Sequence, residues 1–340
     1  MEYSYDLDPE RGKNFIVRPV TEISAHQHWI KFLAFVADGR ILVAADGDGK
    51  VILWDLESPE TPRPCATFSA GRNCLECGAL NERGDTIALA TDDNRISLWN
   101  IADPLHPERI KKMAVNGLAT SLSFDLDGEL LASATLERDI VLWNIKRSSS
   151  PTRMAHMKPG KYRELDVGTT VLFSPYGHIL ASAGWGESVI LWDVADSRHP
   201  RQVSNFTGIH ADLGAHGLSF NSNGTMLAVT KNGETAGVTE VWNVADPASI
   251  ARVAGIERSQ SDVTAVAFSP NGHLLAAGGS QPDQVLWDIR RSDSPVPVDA
   301  HLPHTGFMAS AAFSPAGGIL ATTHGANSDY RISLWKIQSQ

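Results

Sequence analysis

The sequence predicts an all-β fold, a seven-bladed β-propeller with four antiparallel strands in each blade, because two markers recur in step along its 340 residues. The first is a strand-forming pentad with a tryptophan, and its seven copies stand 45, 44, 49, 50, 45 and 48 residues apart. The second is a turn glycine, also found seven times. A repeat of about forty to fifty residues is the length of one propeller blade. The tryptophans are Trp54, Trp99, Trp143, Trp192, Trp242, Trp287 and Trp335, and the glycines are Gly39, Gly84, Gly128, Gly177, Gly224, Gly272 and Gly317.

Repeat six shows how each repeat supplies four strands. Residues 263–268 alternate as a half-buried strand does, and residues 269–272, Ser-Pro-Asn-Gly, supply the φ angles of a tight turn. Residues 274–278 form a continuous apolar run, typical of a strand buried on both faces. After the Trp strand, residues 295–298 give an outer strand, where proline is tolerated because an edge strand need not donate every amide.

The two ends of the chain are predicted to share the last blade. Only five residues follow Trp335, too few for the outer strand that the other repeats have. Residues 14–23 contain a strand-like run with Pro19 and belong to no repeat of their own. We therefore expect residues 14–23 to close blade seven within a single propeller domain, residues 14–340. Residues 1–13 are polar and mostly acidic, and we expect them to form a flexible acidic tail.

Repeat four carries the clearest form of the repeated pattern. Residues 173–177 read Phe-Ser-Pro-Tyr-Gly, and Leu-Trp-Asp follows at 191–193. Through this pattern the chain resembles the WD-repeat (WD40) β-propeller family over about residues 24–340. The resemblance implies a non-catalytic scaffold or adaptor that binds a protein or peptide partner on one face of the propeller. We expect a monomeric propeller that works within a larger assembly.

The resemblance further implies a structural set within a blade. A His before the first strand meets an Asp in the turn before the Trp strand, and both are linked to that Trp. Repeats three to six have other residues at the Asp position. Since such a buried network stiffens a blade, we expect blades three to six to open faster in hydrogen exchange. The complete sets are His26, Asp48 and Trp54 in repeat one and His304, Asp329 and Trp335 in repeat seven.

The composition is that of a soluble protein, with 42% hydrophobic and 20% charged residues and a mean hydropathy of −0.15. The formal net charge of −10 argues against a nucleic-acid partner, which needs a basic surface. The three cysteines give no disulfide framework and fit a reducing compartment. The acidic N-terminus lacks the apolar core of a signal peptide, and no apolar run reaches the roughly 18 residues of a membrane helix. We therefore expect a cytoplasmic protein without membrane contact.

The sequence predicts no catalytic residue, metal site or cofactor. Cys74 and Cys77 have the spacing of half a zinc site, but no second pair stands at ligand spacing, so we interpret them as structural residues at the first strand of repeat two, residues 75–80. Residues 46–50 and 125–129 resemble the start of a calcium loop without its distant Glu, and we interpret them as turns. Motifs for a nucleophile elbow, a phosphate loop or dinucleotide binding do not occur in the sequence. The alternative function is an enzyme or small-molecule binder that uses the central channel.

Three aromatic residues are the candidate anchors for a partner. Trp185 lies between two glycines in the loop before the Trp strand of repeat four, Trp29 lies just before the first strand of repeat one, and Phe307 holds the equivalent place in repeat seven. The resemblance places these residues on one face near the channel mouth, where aromatic side chains are typical interaction anchors. The alternative is that each ring packs into a neighbouring blade. Basic residues in the longest connector are either solvated or a local site for an acidic partner: Lys158, Lys161 and Arg163.

Overall fold

The computed structural model describes residues 15–159, 169–184, 188–207, 214–232, 236–259, 262–280, 285–291, 293–298, 307–326 and 329–339. Within these residues every regular element is a β-strand, and no helix has the length and apolar character needed to cross a bilayer. The strands form seven sheets of four, and neighbours within each sheet pair antiparallel. The predicted all-β, seven-bladed propeller is therefore confirmed.

Blades one to six take consecutive groups of four strands from β2 to β25, and blade seven takes β26, β27, β28 and β1. The strands are β1 (Phe15–His26), β2 (Ile30–Phe35), β3 (Ile41–Asp46), β4 (Lys50–Asp55), β5 (Arg63–Ser69), β6 (Leu75–Leu80), β7 (Thr86–Thr91), β8 (Arg95–Asn100), β9 (Glu108–Ala114), β10 (Ala119–Phe124), β11 (Leu130–Thr135), β12 (Ile140–Asn144), β13 (Thr152–Met157), β14 (Thr169–Phe173), β15 (Ile179–Gly184), β16 (Val189–Asp193), β17 (Arg201–Phe206), β18 (Gly214–Phe220), β19 (Met226–Asn232), β20 (Ala236–Asn243), β21 (Ala251–Ser259), β22 (Val263–Phe268), β23 (Leu274–Gly279), β24 (Val285–Asp288), β25 (Val296–Pro297), β26 (Ala311–Phe313), β27 (Ile319–Ala326) and β28 (Asp329–Ser339).

The strand order assigns every connection to one of two faces. The first strands of neighbouring blades pack against one another, so they surround the central channel. Because consecutive strands alternate in direction, the turns from first to second strand and from third to fourth strand share one face, which we call the lower face. The turns from second to third strand and the connections between blades lie on the opposite, upper face.

The predicted closure of the ring is confirmed. β1 is the outer strand of blade seven and pairs antiparallel with β28, from Phe15 opposite Ser339 to Ile23 opposite Ile332. The strand continues to His26, beyond the predicted end at residue 23. Pro19 lies beside a register shift in this outer strand, where a residue without an amide proton is tolerated. The predicted tail, residues 1–13, lies outside the described residues.

Apolar clusters fill the seams between neighbouring blades, because each sheet turns buried side chains to both sides. In the middle strand β3 of blade one all six residues are buried, as the apolar sequence of that strand indicates. The closing strand β1 contributes to two seams. Its Ile23 packs in the cluster between blades seven and one, and its Phe15 packs in the cluster between blades six and seven. The closing strand therefore joins three blades.

The recurring glycines occupy the lower-face turns between first and second strands, with φ between +67° and +73°. L-residues with a side chain are disfavoured in this conformation. Gly84 also lies against the turn of blade one, since a Cβ at this position would come within 2.6 Å of Val36 Cγ1. At Gly177, no described atom lies within 4 Å of the same position. The backbone thus requires glycine at both turns, and packing requires it only at Gly84.

Candidate interaction site

Three aromatic rings meet on the upper face, at the seam between blades seven and one. Trp29 lies in the connection from β1 to β2, Phe307 precedes β26, and Tyr330 lies at the start of β28. The Trp29 and Phe307 rings are 5.4 Å apart between centroids and nearly perpendicular at 88°. The Trp29 and Tyr330 rings are 5.2 Å apart and tilted by 59°. The structure therefore brings together two of the three predicted aromatic anchors and adds Tyr330, which the sequence pattern missed.

Gly325 leaves space for these rings, and its backbone hydrogen bonds hold Phe307 beside them. Phe307 and Gly325 exchange two backbone hydrogen bonds, of 3.1 and 3.2 Å. A Cβ at Gly325 would come within 2.6 Å of Tyr330 Cδ1 and 3.2 Å of Trp29 Cζ3, so only glycine lets the rings lie this close. His28 stacks on Tyr330 with ring centroids 6.0 Å apart. We call Trp29, Phe307, Tyr330 and His28 the aromatic cluster, and all four side chains are half-buried.

Charged side chains border the aromatic cluster at the start of β28. Arg331 pairs with Asp329 at 2.7 Å and with Glu22 of the closing strand at 2.5 Å. The hydrogen bond from Arg331 holds the pKa of Asp329 below its usual range, so this carboxylate stays ionised in mildly acidic solution. These pairs tie β28 to β1 beside the aromatic rings, which fixes the position of Tyr330 relative to the closing strand.

The predicted set of blade one is corrected. His26 Nδ1 lies 2.8 Å from Asp46 Oδ2 rather than beside Asp48. Asp46 ends β3 and is buried, and it also accepts the Lys50 amide at 3.0 Å, whereas Asp48 is exposed at the tip of the turn. The turn closes through a hydrogen bond from Gly49 N to Asp46 O, which directs the Asp46 side chain inward. Asp46 therefore takes the place predicted for Asp48.

The predicted set of blade seven stays a prediction, although two of its members have other partners in the structure. Asp329 is engaged by Arg331, and Trp335 Nε1 donates to Thr322 Oγ1 at 3.0 Å. Thr322 lies on the second strand of the blade, where it reaches the indole directly. The third predicted member, His304, lies outside the described residues, as does the candidate anchor Trp185.

The indole groups of the marker tryptophans show what the sequence pattern missed. Trp143 and Trp192 each donate to a serine on the neighbouring second strand, Ser133 at 2.9 Å and Ser182 at 2.8 Å. These serines lie two residues beyond the residue paired with the tryptophan. In three other blades that position holds an alanine or valine, and the indole nitrogen is buried without an acceptor among the described residues. The tryptophans and their facing residues are Trp54 with Ala44, Trp242 with Val229 and Trp287 with Ala277.

Blade three contains a paired carboxylate two residues after the position where the sequence pattern placed it. Asp139 is 8% exposed and lies 2.9 Å from His156 Nε2 and 3.1 Å from Lys158 Nζ, both at the outer strand. Burial acts to raise the pKa of Asp139, but the contacts with His156 and Lys158 outweigh it and hold that pKa below its usual range. Lys158 of the predicted basic connector is thus engaged within blade three. Lys161 and Arg163 lie outside the described residues.

Blade five contains a second such carboxylate. Glu240 on β20 is fully buried and lies 3.3 Å from Arg252 Nε of the outer strand and 3.5 Å from Lys231 Nζ. Gly255 leaves the space through which Arg252 approaches, because a Cβ there would overlap the guanidinium. Blades three and five thus contain ion pairs of their own in place of the predicted set, and the faster opening of blades three to six stays a prediction.

Polar groups near the central channel bond to neighbouring blades. Thr120 Oγ1 donates to Thr169 O at 2.7 Å, and Phe173 N donates to Ser123 Oγ at 2.9 Å. The hydroxyl groups of Thr120 and Ser123 thus hold adjacent blades together.

The part of the chain that the structure describes gives no sign of a metal or thiol site. Burial raises the pKa of Cys77, which keeps its thiol protonated. Across the described ranges, no group of three or more His, Cys, Asp or Glu side chains is placed to hold a metal ion.

Comparisons with known proteins agree with this architecture. The family model described as "WD domain, G-beta repeat" matches residues 17–55, 164–193 and 252–284. The first match runs from the closing strand β1 to the end of β4, so one sequence repeat spans the outer strand of one blade and three strands of the next. A comparison with curated proteins finds no match to this chain.

Proposed function

Because the chain is a seven-bladed propeller of the WD-repeat family, we propose that it is a non-catalytic interaction scaffold whose upper face binds a protein or peptide partner. The aromatic cluster supports this proposal most directly. Its rings are half-buried and touch one another, so a partner would meet a large apolar surface that is already ordered. Rigid aromatic side chains lose little conformational freedom on binding, which is why they dominate the energy of many interfaces.

The position of the aromatic cluster gives the proposal its geometry. Trp29 belongs to the connection between blades seven and one, and Tyr330 belongs to blade seven itself. The closing strand and the Arg331 ion pairs hold these two elements together. A partner bound at this seam would therefore contact a surface made by both ends of the described chain.

The proposal also covers the compartment of the protein and the class of its partner. All three cysteines are free, which suits a reducing compartment such as the cytoplasm. The net charge of −10 disfavours nucleic acid as a partner. We place the protein in the cytoplasm as one propeller within a larger assembly, where any chemistry would be carried by another subunit.

The test is the substitution Trp29→Ala, with Leu105→Ala as its matched control. Leu105 is an apolar side chain 61% exposed on the lower face, so its loss changes apolar surface without touching the aromatic cluster. Partners are first identified by cross-linking wild-type protein in its own cells and are then purified for titration. We expect Trp29→Ala to weaken binding by more than about 1 kcal/mol and Leu105→Ala to leave it unchanged.

A folding control is needed because Trp29 is half-buried. Trp29→Phe keeps an aromatic ring at the seam and should retain most of the stability while losing part of the affinity. If a partner binds Trp29→Ala and wild-type protein equally while both remain folded, the aromatic cluster is not the interaction site.

A further inference from the structure

A cavity on the lower face lies at the turn between the third and fourth strands of blade six, beside the closing strand. Its volume is about 290 Å³, and Asp288, Arg290, Arg291, Ser294 and Val296 line it. It is therefore on the face opposite the aromatic cluster and is independent of the proposed partner site.

One guanidinium of this cavity is fixed in place. Arg290 Nε donates to Asp288 Oδ1 at 3.0 Å, and its Nη2 lies 2.5 Å from Asp288 Oδ2. Its guanidinium carbon lies 5.1 Å from the centre of the Phe15 ring in β1. Asp288 is buried and both its oxygens are used by Arg290, so Arg290 forms a stable wall with most of its charge neutralised.

The second guanidinium has no such partner. Among the described residues no carboxylate lies within ion-pair distance of Arg291, and its side chain is exposed along the cavity. Its backbone carbonyl accepts the Ser294 amide at 3.0 Å, which closes the turn and places Ser294 in the lining of the same cavity. The lining residues therefore carry one more positive than negative charge, and Ser294 stands beside them, while Asp293 of the same turn is not among the lining residues.

The corresponding turns of other blades show that Arg291 is not needed to form the turn. Three blades have an Asp four residues after the tryptophan, and each Asp accepts the amide two residues later at 2.9 to 3.0 Å. A guanidinium has no acceptor and cannot make this bond. Blade six thus replaces a turn-closing carboxylate by a free cation. The Asp residues are Asp103, Asp196 and Asp246.

We propose that this cavity binds the phosphate group of a phosphate monoester. The Arg291 guanidinium offers a planar fork that matches two phosphate oxygens, and the Ser294 hydroxyl offers a donor to a third. Val296 gives an apolar wall against which the organic part of the ester packs. A carboxylate has only two oxygens, so it would leave the third donor unused.

The net charge of the whole protein does not attract an anion to this cavity. With a net charge of −10, the long-range field repels anions, so binding has to come from contacts in the cavity. Arg147 provides a matched control, because it occupies the same turn position in blade three and is exposed. There the neighbouring Lys146 turns to Glu129 at 2.7 Å, so no fixed guanidinium stands beside Arg147.

The experiment is calorimetric titration of the full chain with phenyl phosphate, and with benzoate for comparison. We expect phenyl phosphate to bind more tightly than benzoate. Arg291→Ala should weaken phenyl phosphate binding about tenfold, as the loss of a charge-assisted hydrogen bond does. Arg291→Lys keeps the charge without the fork and should give an intermediate affinity, and Arg147→Ala should leave binding unchanged.

The outcomes separate the site from general charge attraction. The Arg291 side chain has no partner among the described residues, so Arg291→Ala should keep the wild-type melting temperature and a loss of binding is not a loss of folding. Equal weakening by Arg291→Ala and Arg147→Ala would overturn the proposal, and so would the absence of phenyl phosphate binding to wild-type protein. Tighter binding of benzoate than of phenyl phosphate would replace the phosphate site with a carboxylate site.

Discussion

At the scale of single residues, the buried indole of Trp54 offers a test of what a facing hydroxyl contributes. Its Nε1 and the Nε2 of His26 are both buried without a partner among the described residues. A hydroxyl at position 44 would accept from the indole, as Ser133 does for Trp143. We expect Ala44→Ser to raise the free energy of unfolding by about 1 kcal/mol.

The matched opposite change is Ser182→Ala, which removes the acceptor of Trp192. It should lower the free energy of unfolding by about 1 to 3 kcal/mol, because a buried donor is left unsatisfied. Urea unfolding of both variants measures the pair. A decrease in stability for Ala44→Ser would mean that packing at blade one leaves no room for the oxygen.

At the scale of elements, the lower-face turns separate the cost of a backbone conformation from the cost of a close contact. Gly84 and Gly177 have nearly the same φ, +71° and +69°, but only Gly84 is packed against a neighbouring blade. Gly177→Ala should cost about 1 to 2 kcal/mol, the penalty of a left-handed backbone. Gly84→Ala should cost clearly more, since its Cβ would meet Val36 and the backbone of Ala37. Equal urea midpoints for the two variants would contradict this difference.

The sequence alone predicts the blades but not the partners of several buried side chains. The spacing of Trp54, Trp99 and their counterparts predicts the blades, because a strand pattern is local. The partner of His26 does not follow from the repeat, because Asp46 at the end of β3 and Asp48 in the following turn are close together in sequence, and only the turn geometry selects Asp46. The outer-strand partners, such as Arg252 for Glu240, depend on register shifts beside the tryptophans. Neither the shifts nor their facing residues follow from composition or periodicity.

At the scale of the whole molecule, stability should depend on the closing strand. Removing residues 1–13 leaves β1 intact and should keep the melting temperature. Removing residues 1–23 keeps His26 but takes Phe15 and Ile23 out of two apolar seams and leaves the edge of β28 unpaired. We expect a much lower melting temperature or aggregation through the free edge. Thermal melts of the two truncations measure the effect.

A peptide of residues 14–23 sharpens that comparison. Added to the shorter chain, it should restore part of the melting temperature, because it can occupy the empty edge of β28. A scrambled peptide of the same composition should not. Equal melting temperatures for the two truncations would show that the ring does not need its closing strand.

The pairing of β1 with β28 also means that β1 is synthesised long before the strand with which it pairs. β1 is translated well before β28, so it waits tens of seconds for its partner at about 5–20 residues per second. During that time an unpaired strand is open to pairing with other nascent chains. Pro19 interrupts its row of amides, and Arg18 and Glu22 add charge, which are features that hinder such pairing. We therefore expect the composition of β1 to limit its pairing with other chains until β28 has been synthesised.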